Sequence, residues 1–309
     1  MTTDHVLAEI QRNQHGLVER SQAVAEGVTH EMIRSRLLDG SMERVFPRVY
    51  KSAGSPETWE QRLLGACLSS GPGAVASHRS AAQLWGLRLP FRDELEITIP
   101  RRKAPRLTSV TIHCSGDLDE DDIVVRHGIP ATKPARTLVD LGAVCPRWIV
   151  DGAIDSALAT KLVTLEGLWW MLARVSRKGR SGAGVLRRCL EWRFGVPDSV
   201  LEGLFLQIVR DYGLPEPVVQ YPITVNGRSY RVDAAYPDCM LALELDGAER
   251  RMSPQALHED LTRQNDLIEA GMTPLRFTWV HLTQQQPAVA GKVHGMLERL
   301  PAFSRQKVG

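Results

Sequence analysis

In the stretch RVDAAYPDCMLALELDG, residues 231–247, three carboxylates (Asp233, Glu244 and Asp246) interrupt what otherwise reads as two apolar strands joined by a tight turn. Acidic residues are poor strand formers, and an ionised carboxylate is costly to bury without a partner. Side chains alternate along a strand, so Leu241, Leu243 and Leu245 share one face while Ala242, Glu244 and Asp246 share the other. A turn at Pro237-Asp238 pairs Tyr236 with Cys239 and sets Asp233 opposite Ala242. Asp233 and Glu244 are then diagonal neighbours, with Cβ atoms roughly 7–8 Å apart. At an effective dielectric of roughly 20, two such charges about 4 Å apart repel by about 4 kcal/mol. A divalent cation between Asp233 and Glu244 removes that cost, and Mg²⁺ (or Mn²⁺) suits a site of carboxylates and waters. A solvated acidic face is the competing explanation.

The elements around these acids are legible from their periodicity. A helix starts at Ser199: Leu201, Leu204, Phe205, Ile208, Val209 and Tyr212 recur at helical spacing until Gly213. Glu202 lies three residues after Ser199, where it can be the acidic partner of a capping box. A strand follows at about 218–225, and Asn226-Gly227 is a favoured hairpin turn. Ser253-Pro254 opens a second helix in the N-cap/N1 arrangement. It runs to Ala270, with Leu257, Leu261, Gln264 and Ile268 as its buried stripe. Asp260 and Arg263 flank that stripe, either as an i,i+3 ion pair or with Arg263 reaching the acids. PLRFTWV reads as a further strand, and residues 288–300 as a last helix.

The first fifty residues carry a different chemistry. A helix at 4–13 ends before Gly16, Ser21 can cap QAVAE, and Thr29 can cap HEMIRSRLLD, which stops at Gly40. The spacing Ala23, Gly27, Ile33 fits the tight turn between two helices. Ile33 and Leu37 then face a core, Glu31, Arg34 and Ser35 project outward, and His30 sits nearer the edge. SMERVF and RVYK are β-like and could form a wing. This pattern predicts a winged helix-turn-helix in which Thr29, His30, Arg34 and Ser35 line the DNA-facing helix. Arg34 contacts base or phosphate, and Arg44 and Arg48 contact phosphates. A three-helix scaffold packed against the rest of the chain is the alternative. LVERSQAVAEGVTHEMIRSRLLDGSMERVFPRVY and SHRSAAQLWGL (77–87) resemble the N-terminal part of AbiEi-like type IV antitoxin proteins, over roughly residues 1–100. That resemblance implies a DNA-binding repressor of its own operon and a cognate toxin.

Between these ends, ELEITI, SVTIHC and DIVVRH alternate as strands, and ARTLVDLGAV reads as a helix opened by Thr132 and Pro134. Further helices are expected near 148–160 and 165–175. His113 and His127 read as ordinary strand or surface residues. No GxGxxG, Walker, HExxH or nucleophile-elbow pattern occurs. The linker into the last domain falls near Gly195-Val-Pro-Asp198. At 309 residues the chain exceeds what one core usually supports. Its net charge of +2 hides an asymmetry: residues 1–197 hold 27 Lys/Arg against 22 Asp/Glu, the remainder 11 against 14. The excess concentrates in RVSRKGRSGAGVLRRCLEWR (174–193), where Arg177, Lys178 and Arg180 are candidates for DNA contact. Five scattered cysteines without a CxxC pair, no signal pattern and no apolar run of membrane length point to a cytoplasmic protein without a membrane partner.

The order helix, three strands, helix, strand, helix, with acids in the sheet, resembles the PD-(D/E)XK restriction-endonuclease-like fold. RVDAAYPDCMLALELDG, DLTRQNDLIEAG and LRFTWVHL are similar to the bacterial family related to very-short-patch repair endonucleases, over roughly 199–300. The resemblance implies that Asp233 and Glu244 bind the metal, Asp246 supports it, Glu202 is a helix-borne acid beside it, and Arg263 stabilises developing phosphate charge. Two departures stand out. Asp246 occupies the position of the usual lysine, and Arg250 and Arg251 stand where relatives carry histidine. Arginine can hold phosphate but is neither base nor metal ligand. His258, on the next helix, is the remaining candidate base.

The expected fold is therefore α+β and multidomain: a winged helix-turn-helix (1–54), an α+β connector with a basic helical segment (55–197) and an α/β restriction-endonuclease-like domain (198–309). The expected function is DNA binding with Mg²⁺- or Mn²⁺-dependent phosphodiester hydrolysis, in phage defence or DNA repair. The alternative is a non-catalytic regulator or antitoxin-like repressor built on a degenerate nuclease fold. DNA is the expected partner; a homodimer and a cognate toxin are left open.

Overall fold

The structure is a computed structural model that describes residues 3–100, 105–176, 181–247 and 254–299. It is mixed α+β, with several separate sheets. The described residues fall into two compact units, drawn from Met1–Thr164 with Ser181–Leu186 and from Leu165–Arg180 with Arg187–Gly309.

The first unit opens with α1 (Thr3–Arg12), β1 (Leu17–Glu19), α2 (Arg20–Ala25), α3 (His30–Leu38), β2 (Met42–Phe46) and β3 (Val49–Ser52). The strands form an antiparallel sheet in the order β1-β3-β2. Thr29 caps α3 as its sequence position suggests, its hydroxyl accepting the Met32 N–H at 3.2 Å. Ser21 does not cap α2. Glu19 does, accepting the Ser21 N–H at 2.6 Å while Gln22 accepts the Glu19 N–H at 3.2 Å. An acid with a glutamine three residues later closes a capping box, and the Ser21 hydroxyl is spent on the same carboxylate. Gly27, at φ +84°, makes the left-handed corner between α2 and α3. Ala23 and Ile33 meet in a core with Leu7, Val18, Val28, Met42 and Tyr50. Leu17 and Val49 turn the other way and pack with Leu63, Leu64 and Ile97, so these first elements share a core with the rest of their unit.

The rest of the unit comprises α4 (Trp59–Ser70), β4 (Val75–Ala76), α5 (His78–Leu84), β5 (Leu95–Pro100), β6 (Val110–Ser115), β7 (Ile123–Arg126), β8 (Ile129–Thr132), α6 (Pro134–Val144) and α7 (Arg147–Ala159). The five strands form one sheet in the order β6-β5-β4-β8-β7. β5, β6 and β7 coincide with the alternating segments of the sequence. β4 and β8 have only two and four residues and are largely buried, so no alternation announces them. A charged cluster is buried beneath α6. Arg136, 1% exposed, donates to Asp140 (3.0 Å), Asp122 (3.1 Å) and the Asp117 carbonyl (3.1 Å).

The second unit contains α8 (Leu165–Val175), α9 (Ala183–Arg193), whose first turn belongs to the first unit, and α10 (Asp198–Asp211). There follow β9 (Val218–Val225), β10 (Arg228–Tyr236), β11 (Leu241–Asp246), α11 (Pro254–Glu269), β12 (Thr273–Thr278), α12 (Trp279–Gln284) and α13 (Gln286–Arg299). The sheet order is β12-β11-β10-β9, with β11 and β12 parallel and the other pairs antiparallel. α8 lies upstream of the linker read near 195–198 yet belongs to this unit. Trp169 packs edge-on to Trp279 at 4.8 Å, and Trp170 covers Gly203.

Three local expectations are corrected. Ser199 and Glu202 do not form a capping box: the Ser199 hydroxyl donates to Glu166 at 2.7 Å, and Glu202 accepts from the Gln220 amide. The strand PLRFTWV stops at Thr278, where a Thr278–His281 capping box starts α12. The buried stripe of α11 is also rotated. Leu257, Leu261 and Ile268 are half exposed, while Leu267 is buried on the face that carries Asp260, Arg263 and Gln264. Leu267 on that face packs with Val232, Ala235, Ala242 and Met272.

Candidate functional site

The register of β10 and β11 decides where the acids meet. Ala234 pairs with Leu243, Ala235 with Ala242 and Tyr236 with Leu241. Carried one residue past the last pair of the ladder, this register sets Asp233 across from Glu244, rather than across from Ala242 as the assumed turn implied. The connection is longer than two residues: Pro237–Cys239 forms a 3₁₀ turn, and Met240 closes it in the left-handed region at φ 50°. A slip of two residues keeps every side chain on its face. The carboxylates therefore stay near one another: both feel Arg263, and Glu244 feels Asp233.

Asp233 accepts the Leu245 N–H at 2.7 Å, which fixes one of its oxygens. Glu244 accepts from Arg263 Nη2 at 2.7 Å, and the same nitrogen donates to the Arg231 carbonyl at 2.8 Å. Arg263 therefore reaches the acids instead of pairing with Asp260. Asp246 is gripped bidentately by Arg276, at 2.9 and 3.0 Å, and the third arm of that guanidinium takes Asp260 at 2.6 Å. Glu244, Asp260, Arg263, Gln264, Leu267, Pro274 and Arg276 line one shallow depression.

Burial pushes the Asp233 carboxyl above its ordinary value, against the Leu245 N–H and Arg263. Glu244 is raised for the same first reason, with Arg263 opposing and Asp233 adding to it. Glu202 is raised by burial, partly offset by Gln220, and also feels Asp233. In the folded chain these acids are thus held less readily ionised than in water. For Asp233, the penalty is absent below the ordinary carboxylate value, grows as pH rises through it, and is complete above the folded value. Asp233→Asn keeps an acceptor for the Leu245 N–H. It is expected to melt at or above the wild-type temperature near neutral pH, with the gain vanishing in acid, as thermal melts across that pH range will read.

Asp233, Glu244 and Asp246 do not gather three ligand atoms within reach of one ion; Asp246 is turned to Arg276. Asp233 and Glu244 remain as the pair. His258 is exposed and off the helix face that approaches Glu244. Sequence reading missed Arg276. Its signal is positional: it pairs with Glu244 in the parallel β11–β12 register, a lone cation beside a strand that carries acids.

In the first unit, Thr29, His30, Arg34, Ser35 and Arg44 are exposed. Arg34 makes no hydrogen bond or ion pair with the described residues, while Arg44 lies 5.9 Å over the Tyr50 ring. Arg48 is committed inward, donating to the Ser69 carbonyl at 3.0 Å with Glu19 at 4.0 Å. Arg177, Lys178, Arg180, Arg250 and Arg251, expected to face DNA, lie outside the described residues. His113 is not solitary: its ring stacks on His78, beside Glu96.

No family model matches the chain. The curated relatives it resembles are mycobacterial. They are "Uncharacterized protein MT2308" of Mycobacterium tuberculosis strain CDC 1551 and "Uncharacterized protein Rv2248" of strain H37Rv. Each is 26% identical over 273 residues, covering 88% of this chain and 98% of the relative. A match of that extent runs through the sequence of both units. Among the described residues, no helix is long and apolar enough to cross a membrane.

Proposed function

We propose that this chain is a DNA-binding protein whose second unit hydrolyses phosphodiesters with Mg²⁺ (or Mn²⁺) held by Asp233 and Glu244. The observation that carries the reading is the cross-strand carboxylate pair, raised by burial even though Arg263 lies against it. Two arginines serve four carboxylates here (Asp233, Glu244, Asp246 and Asp260), and a divalent cation matches the remaining charge. The donor set fits such an ion, since hard carboxylate oxygens completed by water are what Mg²⁺ prefers. The element order of α10, β9–β11, α11 and β12 supports an endonuclease-like framework.

When bound, the metal would activate water and neutralise charge on the leaving oxygen. The chain's own residues would do the rest. The Leu245 N–H holds Asp233 in place, and Arg276 fixes Asp246 as a positioning residue. Arg263, whose Nε is buried without a hydrogen-bond partner, would exchange the Arg231 carbonyl for a phosphate oxygen. Nicking of supercoiled plasmid by the purified chain, with Mg²⁺ or Mn²⁺ and with a chelator, tests the reading. Metal-dependent nicking supports it, and binding without cleavage under every condition overturns it.

DNA contact is assigned to the first unit. The corner α2–Gly27–α3, its buried Ala23 and Ile33 and the hairpin β2–β3 support a winged helix-turn-helix, with Arg34 projecting from α3. Arg34→Ala is expected to weaken specific binding by about tenfold or more, as one lost base contact typically costs about 1–3 kcal/mol. A footprint that survives the substitution would remove α3 from the interface.

A second reading, a non-catalytic repressor on a degenerate nuclease fold, is favoured by the engagement of Glu244 by Arg263 and of Asp246 by Arg276. It predicts a footprint with no metal-dependent cleavage.

A further inference from the structure

A second cluster lies in the first unit, away from the carboxylate sheet: His78, Glu96 and His113. Among the described residues it is the one group in which three potential ligand atoms approach within 4.8 Å of one another. The fold brings it together from three segments. Glu96 and Thr98 share a face of β5, and His113 pairs with Thr98 across the parallel β5–β6 ladder, one diagonal step from Glu96. His78 enters from the start of α5, with its backbone at φ 50°. A left-handed conformation costs a non-glycine residue about 1–2 kcal/mol, and such strain concentrates where a side chain must be aimed. His78 and Glu96 are buried, at 6% and 5% exposure, and the His113 side chain is partly exposed, at 24%.

From this geometry we propose that His78, Glu96 and His113 form a binding site for one divalent transition-metal ion of the zinc class, with a fourth position open to water. The site is independent of the reading of the second unit as a nuclease.

Its atoms are disposed for the task. His113 Nε2 is buried and makes no hydrogen bond. The nearest acid oxygen, Glu96 Oε2, is 3.8 Å away, too far for a hydrogen bond. Two ligands each about 2.0–2.1 Å from a tetrahedral zinc stand roughly 3.4 Å apart, so that gap needs little closing around an ion. The other Glu96 oxygen is engaged by Arg79 Nη1 at 2.6 Å, and the Arg79 N–H approaches Oε2 at 3.1 Å. These contacts orient the carboxylate and leave Oε2 room on its ligand side. His78 Nδ1 lies 2.9 Å from Ser77 Oγ, which accepts from Thr98 Oγ1 at 2.7 Å. In the tautomer that donates Nδ1–H to Ser77, Nε2 carries the lone pair, the hydrogen-bonding arrangement typical of metal-bound histidine. The two rings are stacked, centroids 3.6 Å apart and planes at 19°. An ion closing on both nitrogens pivots them out of that stack. Two histidines, a glutamate and an open position form a ligand set used by catalytic zinc.

The test uses the full-length chain without an affinity tag, stripped with a chelator and titrated with Zn²⁺ and, separately, Co²⁺. The expected result is one nitrogen-ligated ion per chain, beyond any held by the Asp233–Glu244 pair, with a visible cobalt spectrum of low coordination number and a higher melting temperature. His113→Ala is expected to weaken uptake by about 100-fold or more. The Asp233→Asn/Glu244→Gln double variant is expected to retain it, which separates this site from the carboxylate pair. No uptake by the wild type, or uptake unchanged in His113→Ala, overturns the proposal. Should His113→Ala fail to fold, the wild-type cobalt spectrum decides, since a bound ion with no imidazole nitrogen overturns it equally.

Discussion

Glu244→Gln is expected to lower metal-dependent nicking by at least ~10³-fold while leaving the fold and the DNA affinity nearly unchanged. The expected size follows from the several kcal/mol that a correctly held metal contributes to such a displacement, at 1.36 kcal/mol per tenfold. Glutamine keeps a carbonyl oxygen for the 2.7 Å bond from Arg263 but removes the charge that, with Asp233, would hold the ion. Its burial is not a cost of the change, because burial already disfavours the ionised glutamate. Circular dichroism and a binding isotherm on the same preparation separate lost chemistry from lost structure. Equal nicking by variant and wild type would remove Glu244 from the reaction. A collapse of folding in Glu244→Gln would instead make it a structural partner of Arg263.

The largest expected effect on stability lies elsewhere, at Arg136. Its guanidinium, 1% exposed, serves Asp140 at 3.0 Å and Asp122 at 3.1 Å, and Asp122 is itself fully buried. Arg136→Met fills the volume but takes the guanidinium away from both buried carboxylates, a loss that typically costs about 3–5 kcal/mol. Urea unfolding is expected to show that loss as a lower midpoint. Arg136→Lys is expected to recover only part of it, because one ammonium cannot reproduce donors spread over Asp140, Asp122 and the Asp117 carbonyl. The triple variant Arg136→Met/Asp122→Asn/Asp140→Asn is expected to recover more, since neutralising the two most buried acids along with the cation is milder than removing the cation alone. A midpoint unchanged in Arg136→Met would show that water already compensates these acids.

Periodicity and end signals carried much of the local structure. Thr29 at the start of α3, Gly27 at the corner before it, the strands β9 and β10 flanking Asn226-Gly227, and the apolar stripe of α10 were all legible, because each depends on residues within a turn or two. The errors share one cause. Leu257, Leu261 and Ile268 look like a core stripe, yet α11 turns Asp260, Arg263 and Leu267 toward the sheet, where Leu267 packs with Val232, Ala235, Ala242 and Met272 from distant segments. Ser199 and Glu202 have capping-box spacing, yet Glu166 and Gln220 claim them. β4 and β8 are too short to show alternation and exist because neighbouring strands pair with them.

The sequence by itself determined which face Asp233, Glu244 and Asp246 share, because strand alternation has a period of two and survives the register error. It also determined that Ile33 points inward and Arg34 outward. Only the tertiary structure decided that Tyr236 pairs with Leu241 and Ala234 with Leu243, since the length of the turn after Tyr236 sets the register. It alone matched Arg263 and Arg276 to their acids, across 19 and 30 residues of chain. It alone joined His78, Glu96 and His113, which no local pattern links: they come from a helix start and two parallel strands, and only the packing of those elements closes the distance.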